Sequence, residues 1–85
     1  DVMSILTPAQ IRAGRAILRC TAKDLGERAG VSLPTIQRLE TSKGSLKNAE
    51  LGTIEKLLTA FRDAGIDFPD AYTVSYRRLS EREAE

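Results

Sequence analysis

The chain is written in short blocks of helical period, each opened by its own start signal. Thr7 precedes Pro8, and Gln10 stands three residues after the threonine, a capping-box pattern with proline at the first helical position. It predicts a helix from about Pro8 to Arg19, with Ile11, Gly14, Ile17 and Leu18 on one buried stripe and Arg12 and Arg19 facing water. Thr21 with Asp24 repeats the signal and opens a second helix that ends near Ala29, where Gly30 can take the left-handed conformation. Ser32 caps a third helix running to about Thr41, with Pro34 in the first turn, where its missing N–H would have had no partner inside the helix. Ile36 and Leu39 form its buried edge, which puts Leu33, Pro34, Gln37, Arg38 and Thr41 on or near the outward side.

Thr41 to Ser45 reads as a loop, and Asn48 as the cap of a fourth helix from about Ala49 to Ala64. There Leu51, Ile54, Leu57, Leu58 and Phe61 recur at helical spacing until Gly65 stops the helix. The period then falls to two. Ile66 and Phe68 alternate with a polar residue, Pro69 and Asp70 form a turn signal, and Tyr72, Val74 and Tyr76 alternate with Thr73, Ser75 and Arg77. The predicted fold is mainly α, with four to five helices over residues 5–65, a short strand or hairpin over 66–79 and a frayed charged tail over 80–85.

Composition narrows the function. A chain of 85 residues holds one small domain and leaves no room for a catalytic domain beside a binding domain. It has no histidine and one cysteine, Cys20, so it offers no Cys/His zinc set, no metal site and no internal disulfide. No glycine-rich phosphate loop is present, and no nucleophile has a recognisable base. Glu81, Glu83 and Glu85 read as a solvated tail. An enzyme is therefore not expected, nor is a cofactor. No apolar run approaches the roughly 20 residues needed to cross a bilayer, and the reducing cytoplasm, in association with the bacterial nucleoid, is the expected location.

Net charge is only +1, but it is unevenly placed. Residues 1–45 hold seven Lys or Arg against four acids, and residues 46–85 hold six against eight, so contact with a polyanion belongs to the first half.

That half contains TAKDLGERAGVSLPTIQRLE, Thr21 to Glu40, two short helices joined by Gly30, Val31 and Ser32. This is the turn length of a helix-turn-helix. The segment resembles the helix-turn-helix of the lambda-repressor, Cro and XRE family of bacterial and phage DNA-binding regulators. The likeness rests on the capped start, Leu25 followed by small Gly26, Ala29 followed by Gly30, Val31, a polar cap, Ile36, and Leu39 followed by Glu40. With the flanking helices it covers about residues 5 to 65. Ala22 stands where the family often has a glutamine, and Leu33 with Pro34 is an unusually apolar leading edge for a recognition helix.

The resemblance implies an inward ion pair between Arg15 and Glu40, architectural in role. It also implies that the third helix enters the major groove of duplex DNA and meets base edges with Leu33, Pro34, Gln37 and Arg38. Arg38 could pair with a guanine O6 and N7, Gln37 with an adenine N6 and N7, and Leu33 or Pro34 could touch a thymine methyl. Thr21, Lys23, Ser32, Thr35, Ser42, Lys43 and Lys47 are candidates for phosphate contact. All four aromatics lie in the last third, so the basic half has no platform for stacking single-stranded bases, and duplex is the expected partner. Phe68, Tyr72, Val74 and Tyr76 form a candidate dimer or partner surface. A two-fold dimer would set two recognition helices about 34 Å apart and fit an inverted-repeat operator.

The sequence thus points to a small sequence-specific transcriptional regulator, a repressor acting as a dimer. The alternative keeps the same fold but uses its third helix or terminal strand to bind and inhibit another protein, as an antiactivator or antitoxin does.

Overall fold

The computed structural model describes residues 6–42 and 51–78. Within them, helices α1 (Pro8–Leu18), α2 (Ala22–Ala29), α3 (Leu33–Thr41) and α4 (Leu51–Asp63) precede strands β1 (Ile66–Asp67) and β2 (Ser75–Tyr76). The strands pair antiparallel, Ile66 opposite Tyr76 and Asp67 opposite Ser75. The protein is mainly helical with a short C-terminal hairpin, the class its periodicity predicts. No helix among the described residues is long and apolar enough to cross a membrane.

The helix starts follow from local chemistry. Thr7 Oγ1 accepts from the Gln10 N–H at 3.2 Å while Gln10 Oε1 accepts from the Thr7 N–H at 2.9 Å. Thr21 and Asp24 exchange the same two bonds at 3.0 Å each. Those bonds hold the Asp24 carboxyl below its ordinary pKa, first through the Thr21 N–H and then through its hydroxyl. Ser32 Oγ accepts from the Thr35 N–H at 3.4 Å. Each cap satisfies a donor that the helix cannot pair internally. Asn48 and the residues on either side of it lie outside the described set.

The core gathers one stripe from each helix. Leu6, Ile11, Leu25, Ile36, Leu57, Phe61 and Ile66 are all essentially inaccessible to water. Phe61 lies against α1 because Gly14 has no side chain: a Cβ there would stand 2.5 Å from the Phe61 ring. On its other side the ring meets Phe68 edge to face, centroids 5.3 Å apart at 88°.

Several expected orientations differ. Ile17 is exposed rather than part of the α1 stripe. It is six residues from Ile11, about 120° away around a helix of 3.6 residues per turn, whereas Gly14 and Leu18 stay near Ile11's direction. Arg19 is the left-handed cap of α1, at φ 55°, rather than its last residue. Leu51, the first residue of α4, is exposed rather than part of its stripe. Leu33, expected outward, is half-buried, since it sits one turn before Ile36 on the same side. Tyr72 does not alternate on a strand: it lies in the turn before β2, 96% exposed. Phe68 is only 5% exposed, so it belongs to the core and is not available as an interface residue.

Gln10 ties the two ends of the domain together. Its side-chain amide donates to the carbonyls of Asp70 at 2.6 Å and Thr73 at 3.0 Å, while its oxygen serves the cap of α1. Every polar atom of this buried side chain is thus employed. Gln10→Glu places an acceptor against two carbonyl oxygens, so its carboxyl titrates above the ordinary range and charging it opposes folding. The variant is expected to be within about 1 kcal/mol of wild type at pH 4, where the protonated carboxyl can still donate to a carbonyl, and about 2 kcal/mol less stable than wild type at pH 7. Thermal unfolding at the two pH values checks this; a pH-independent Tm would contradict the assigned bonds.

Candidate nucleic-acid interface

α2 and α3 are locked at a fixed join. The N–H groups of Gly30 and Val31 both donate to the Gly26 carbonyl, at 2.8 and 2.9 Å, and Gly30 takes φ 73°. The returning chain passes so close over α2 that a Cβ on Gly26 would stand 2.5 Å from the Val31 carbonyl oxygen. Ser32 then starts α3 with no intervening slack, its hydroxyl also donating to Thr35 Oγ1 at 2.8 Å. The axis of α3 is therefore set by backbone contacts as well as by the buried Ile36 and Leu39.

The far end of α3 is fixed by two arginines of α1. Arg15 grips the Glu40 carboxylate with two parallel bonds, Nε to Oε2 at 2.6 Å and Nη2 to Oε1 at 2.8 Å. Its remaining Nη1 donates to the Cys20 carbonyl at 3.2 Å. One guanidinium thus joins α1, the α1–α2 link and α3. The bond to Glu40 raises the Arg15 pKa further, against the opposing effect of desolvation. Arg12 is exposed, as expected, and its Nη1 also donates to the Glu40 carbonyl, a cation placed at the negative end of α3. The Cys20 thiol beside this cluster is buried, and desolvation pushes its pKa up, which disfavours the thiolate.

Between these anchors α3 presents a free face. Pro34, Gln37 and Arg38 are exposed, and among the described residues the side chains of Gln37 and Arg38 hold no hydrogen bond or ion pair. The two are adjacent in sequence, five and six residues past the Ser32 cap on the second turn of α3, and their side chains lean toward its N-terminus. A guanidinium beside an amide that can both donate and accept is chemistry for reading paired acceptors or a donor–acceptor pair on a flat edge.

The candidate phosphate contacts divide into groups. Thr21 and Ser32 are engaged as caps, and Thr35 bonds to Ser32. Their hydroxyl oxygens and the neighbouring helix N-termini remain at the surface. Ser42 donates to the Arg38 carbonyl at 2.9 Å and closes α3. Lys23 is highly exposed and meets only Glu27, at 3.7 Å across one turn, a pair that holds the ammonium weakly. Lys43 and Lys47 lie outside the described residues. Tyr76 is exposed on β2 and Val74 is half-buried beside it.

Sequence reasoning missed Gln10 and Arg12 as positioning residues. Gln10 was visible only as half of a local capping box; its partners Asp70 and Thr73 are sixty positions away. No group of His, Cys, Asp and Glu able to hold a metal occurs among the described residues. No protein-family model matches this chain, and no curated protein matches it.

Proposed function

We propose that this chain is a small sequence-specific duplex-DNA-binding regulator of the lambda-repressor, Cro and XRE type, with α3 as the helix that enters the major groove. The observation that carries the reading is the pair Gln37 and Arg38, without a partner among the described residues, on a helix fixed at both ends. A helix held this firmly fixes the points from which its exposed side chains emerge, which favours bidentate base reading. Pro34 supplies an apolar edge for a thymine methyl. Lys23 and the α2 and α3 caps supply phosphate contacts that set position without reading sequence. Repression then needs no further machinery, since occupying an operator blocks it, and a dimer on an inverted repeat doubles the contact.

Binding and inhibition of another regulator through the same face is the competing reading, favoured only by Pro34 and the exposed Tyr72 and Tyr76. Arg38→Ala separates the two. It is expected to cost about 1–3 kcal/mol of discrimination at one base pair while leaving the melting temperature unchanged. Competition binding against a panel of single-base operator variants reads this. Unchanged affinity and unchanged sequence preference would remove α3 from the groove.

A further inference from the structure

The last carbonyls of α3 are satisfied in two different ways. Thr41 Oγ1 donates to the carbonyls of Gln37 and Arg38 at 3.1 and 3.2 Å, Ser42 Oγ to that of Arg38 at 2.9 Å, and the Ser42 N–H to that of Leu39 at 3.3 Å. These bonds stay within α3 and its cap, so they hold the helix only to itself. The Glu40 carbonyl differs, because it accepts from Nη1 of Arg12, which belongs to α1.

Glu40 is thus held twice from α1, and the two grips do different work. Arg15 takes the carboxylate, which reaches the α3 backbone only through the rotatable bonds of the glutamate side chain. Such a link keeps α3 beside α1 but leaves it some freedom to turn about its own axis. Arg12 takes the backbone carbonyl, which moves with the helix as one body, so this bond opposes the turn. The apolar contacts of Ile36 and Leu39 are non-directional and resist a small rotation less sharply than a hydrogen bond does.

Gln37 and Arg38 lie within one turn before Glu40, on the exposed side. A rotation of about 10° moves a group about 6 Å from the axis, the outer radius of a helix, by about 1 Å. A binding constellation tolerates about 0.5 Å. A turn too small to disturb the fold is therefore large enough to disturb bidentate reading.

We propose that Arg12 is a positioning residue that sets sequence discrimination without touching a base: by holding the Glu40 carbonyl it fixes the angle at which α3 presents Gln37 and Arg38. The proposal rests on the DNA reading above. Arg12 is exposed, so phosphate contact is the rival role, and the two leave different marks. A phosphate contact strengthens binding to every duplex and contributes about one to the salt slope. A positioning residue strengthens only the binding in which Gln37 and Arg38 meet their bases, and leaves the salt slope where it was.

The full-length wild type, Arg12→Ala and Arg12→Lys are titrated against two duplexes of equal length, one selected by the wild type from a randomised pool and one scrambled. Each titration runs from about 50 to about 200 mM salt, at a temperature where circular dichroism shows every variant folded. Arg12→Ala is expected to weaken binding to the selected duplex about ten-fold, to change binding to the scrambled duplex less than about two-fold, and to keep the wild-type salt slope. Arg12→Lys keeps a donor for the carbonyl and should stay within about three-fold of wild type on the selected duplex. Equal losses on both duplexes would overturn the proposal, and a slope lower by about one would then make Arg12 a phosphate contact. Unchanged binding of Arg12→Ala to both duplexes would overturn it as well. Either result leaves the DNA reading standing; a wild type that enriches no duplex from the pool removes that reading, and this proposal with it.

Discussion

Glu40→Ala is expected to destabilise the domain by about 3 kcal/mol. The carboxylate is almost fully buried while the Arg15 side chain remains 25% exposed. Removing it leaves a half-buried guanidinium with one carbonyl partner in place of three bonds. Breaking one side of a fully buried pair costs roughly 3–5 kcal/mol, and partial exposure of Arg15 places this case at the lower end. For a domain of this size that is a large share of its stability. Replacing both partners, as in Arg15→Met with Glu40→Leu, removes the desolvation of both charges and is expected to recover about half of the loss or more. Urea unfolding of the two single variants and the double variant measures the coupling. Additive losses would mean that the bidentate contact contributes nothing beyond its separate side chains. The consequence for function is direct: a lost DNA affinity in Arg15→Ala would report a displaced α3, because Arg15 holds Glu40 from α1 and does not lie on the exposed α3 face.

The second large effect is a reversal of the usual ranking of glycine substitutions. Gly30 has φ 73°, and nothing stands within 4 Å of where its Cβ would lie. Gly30→Ala should therefore cost only the left-handed backbone penalty, about 1–2 kcal/mol. Gly26 has a helical backbone, at which alanine ordinarily gains about 1 kcal/mol. Its added Cβ, however, would stand 2.5 Å from the Val31 carbonyl, which is backbone and is held by the turn's own bonds to the Gly26 carbonyl. Overpacking against so firm a neighbour costs about 3 kcal/mol, so Gly26→Ala is expected to be the worse of the two. Comparing their denaturation midpoints decides it. A Gly26→Ala variant as stable as wild type would mean that the α2–α3 join is looser than the structure describes, and a rigid recognition surface would lose its basis.

What was legible in the sequence and what was not divides by range. The caps at Thr7, Thr21 and Ser32, the stop at Gly30 and the buried Ile36 and Leu39 are readable because each depends on neighbours within one turn. Ile17 was misplaced by treating two adjacent apolar residues as one stripe, although the helical angle separates Ile17 from Leu18 by about 100°. Tyr72 was drawn into a strand by a period-two pattern that is real in sequence but interrupted by the Asp70 turn, whose carboxylate captures the Tyr72 N–H. Phe68 was assigned to a surface because nothing in its own segment reveals that Phe61, seven positions earlier, needs an edge partner. Gln10 and Arg12 act on carbonyls 28 to 63 positions away, and no local pattern encodes such a bond. The outward placement of Gln37 and Arg38, by contrast, followed from the spacing of Ile36 and Leu39 alone.

The central claim is that α3 reads duplex DNA, and one titration addresses it most directly. The full-length protein is titrated against duplex from the region upstream of its own gene and against scrambled duplex of equal length, each at 50 and about 200 mM salt. The account predicts tighter binding to the upstream duplex and a steep loss of affinity with salt on both, since neutralised phosphates release counterions in proportion to the number of cationic contacts. Equal, negligible binding to both duplexes at the lower salt, by protein whose circular dichroism shows it folded, would contradict it.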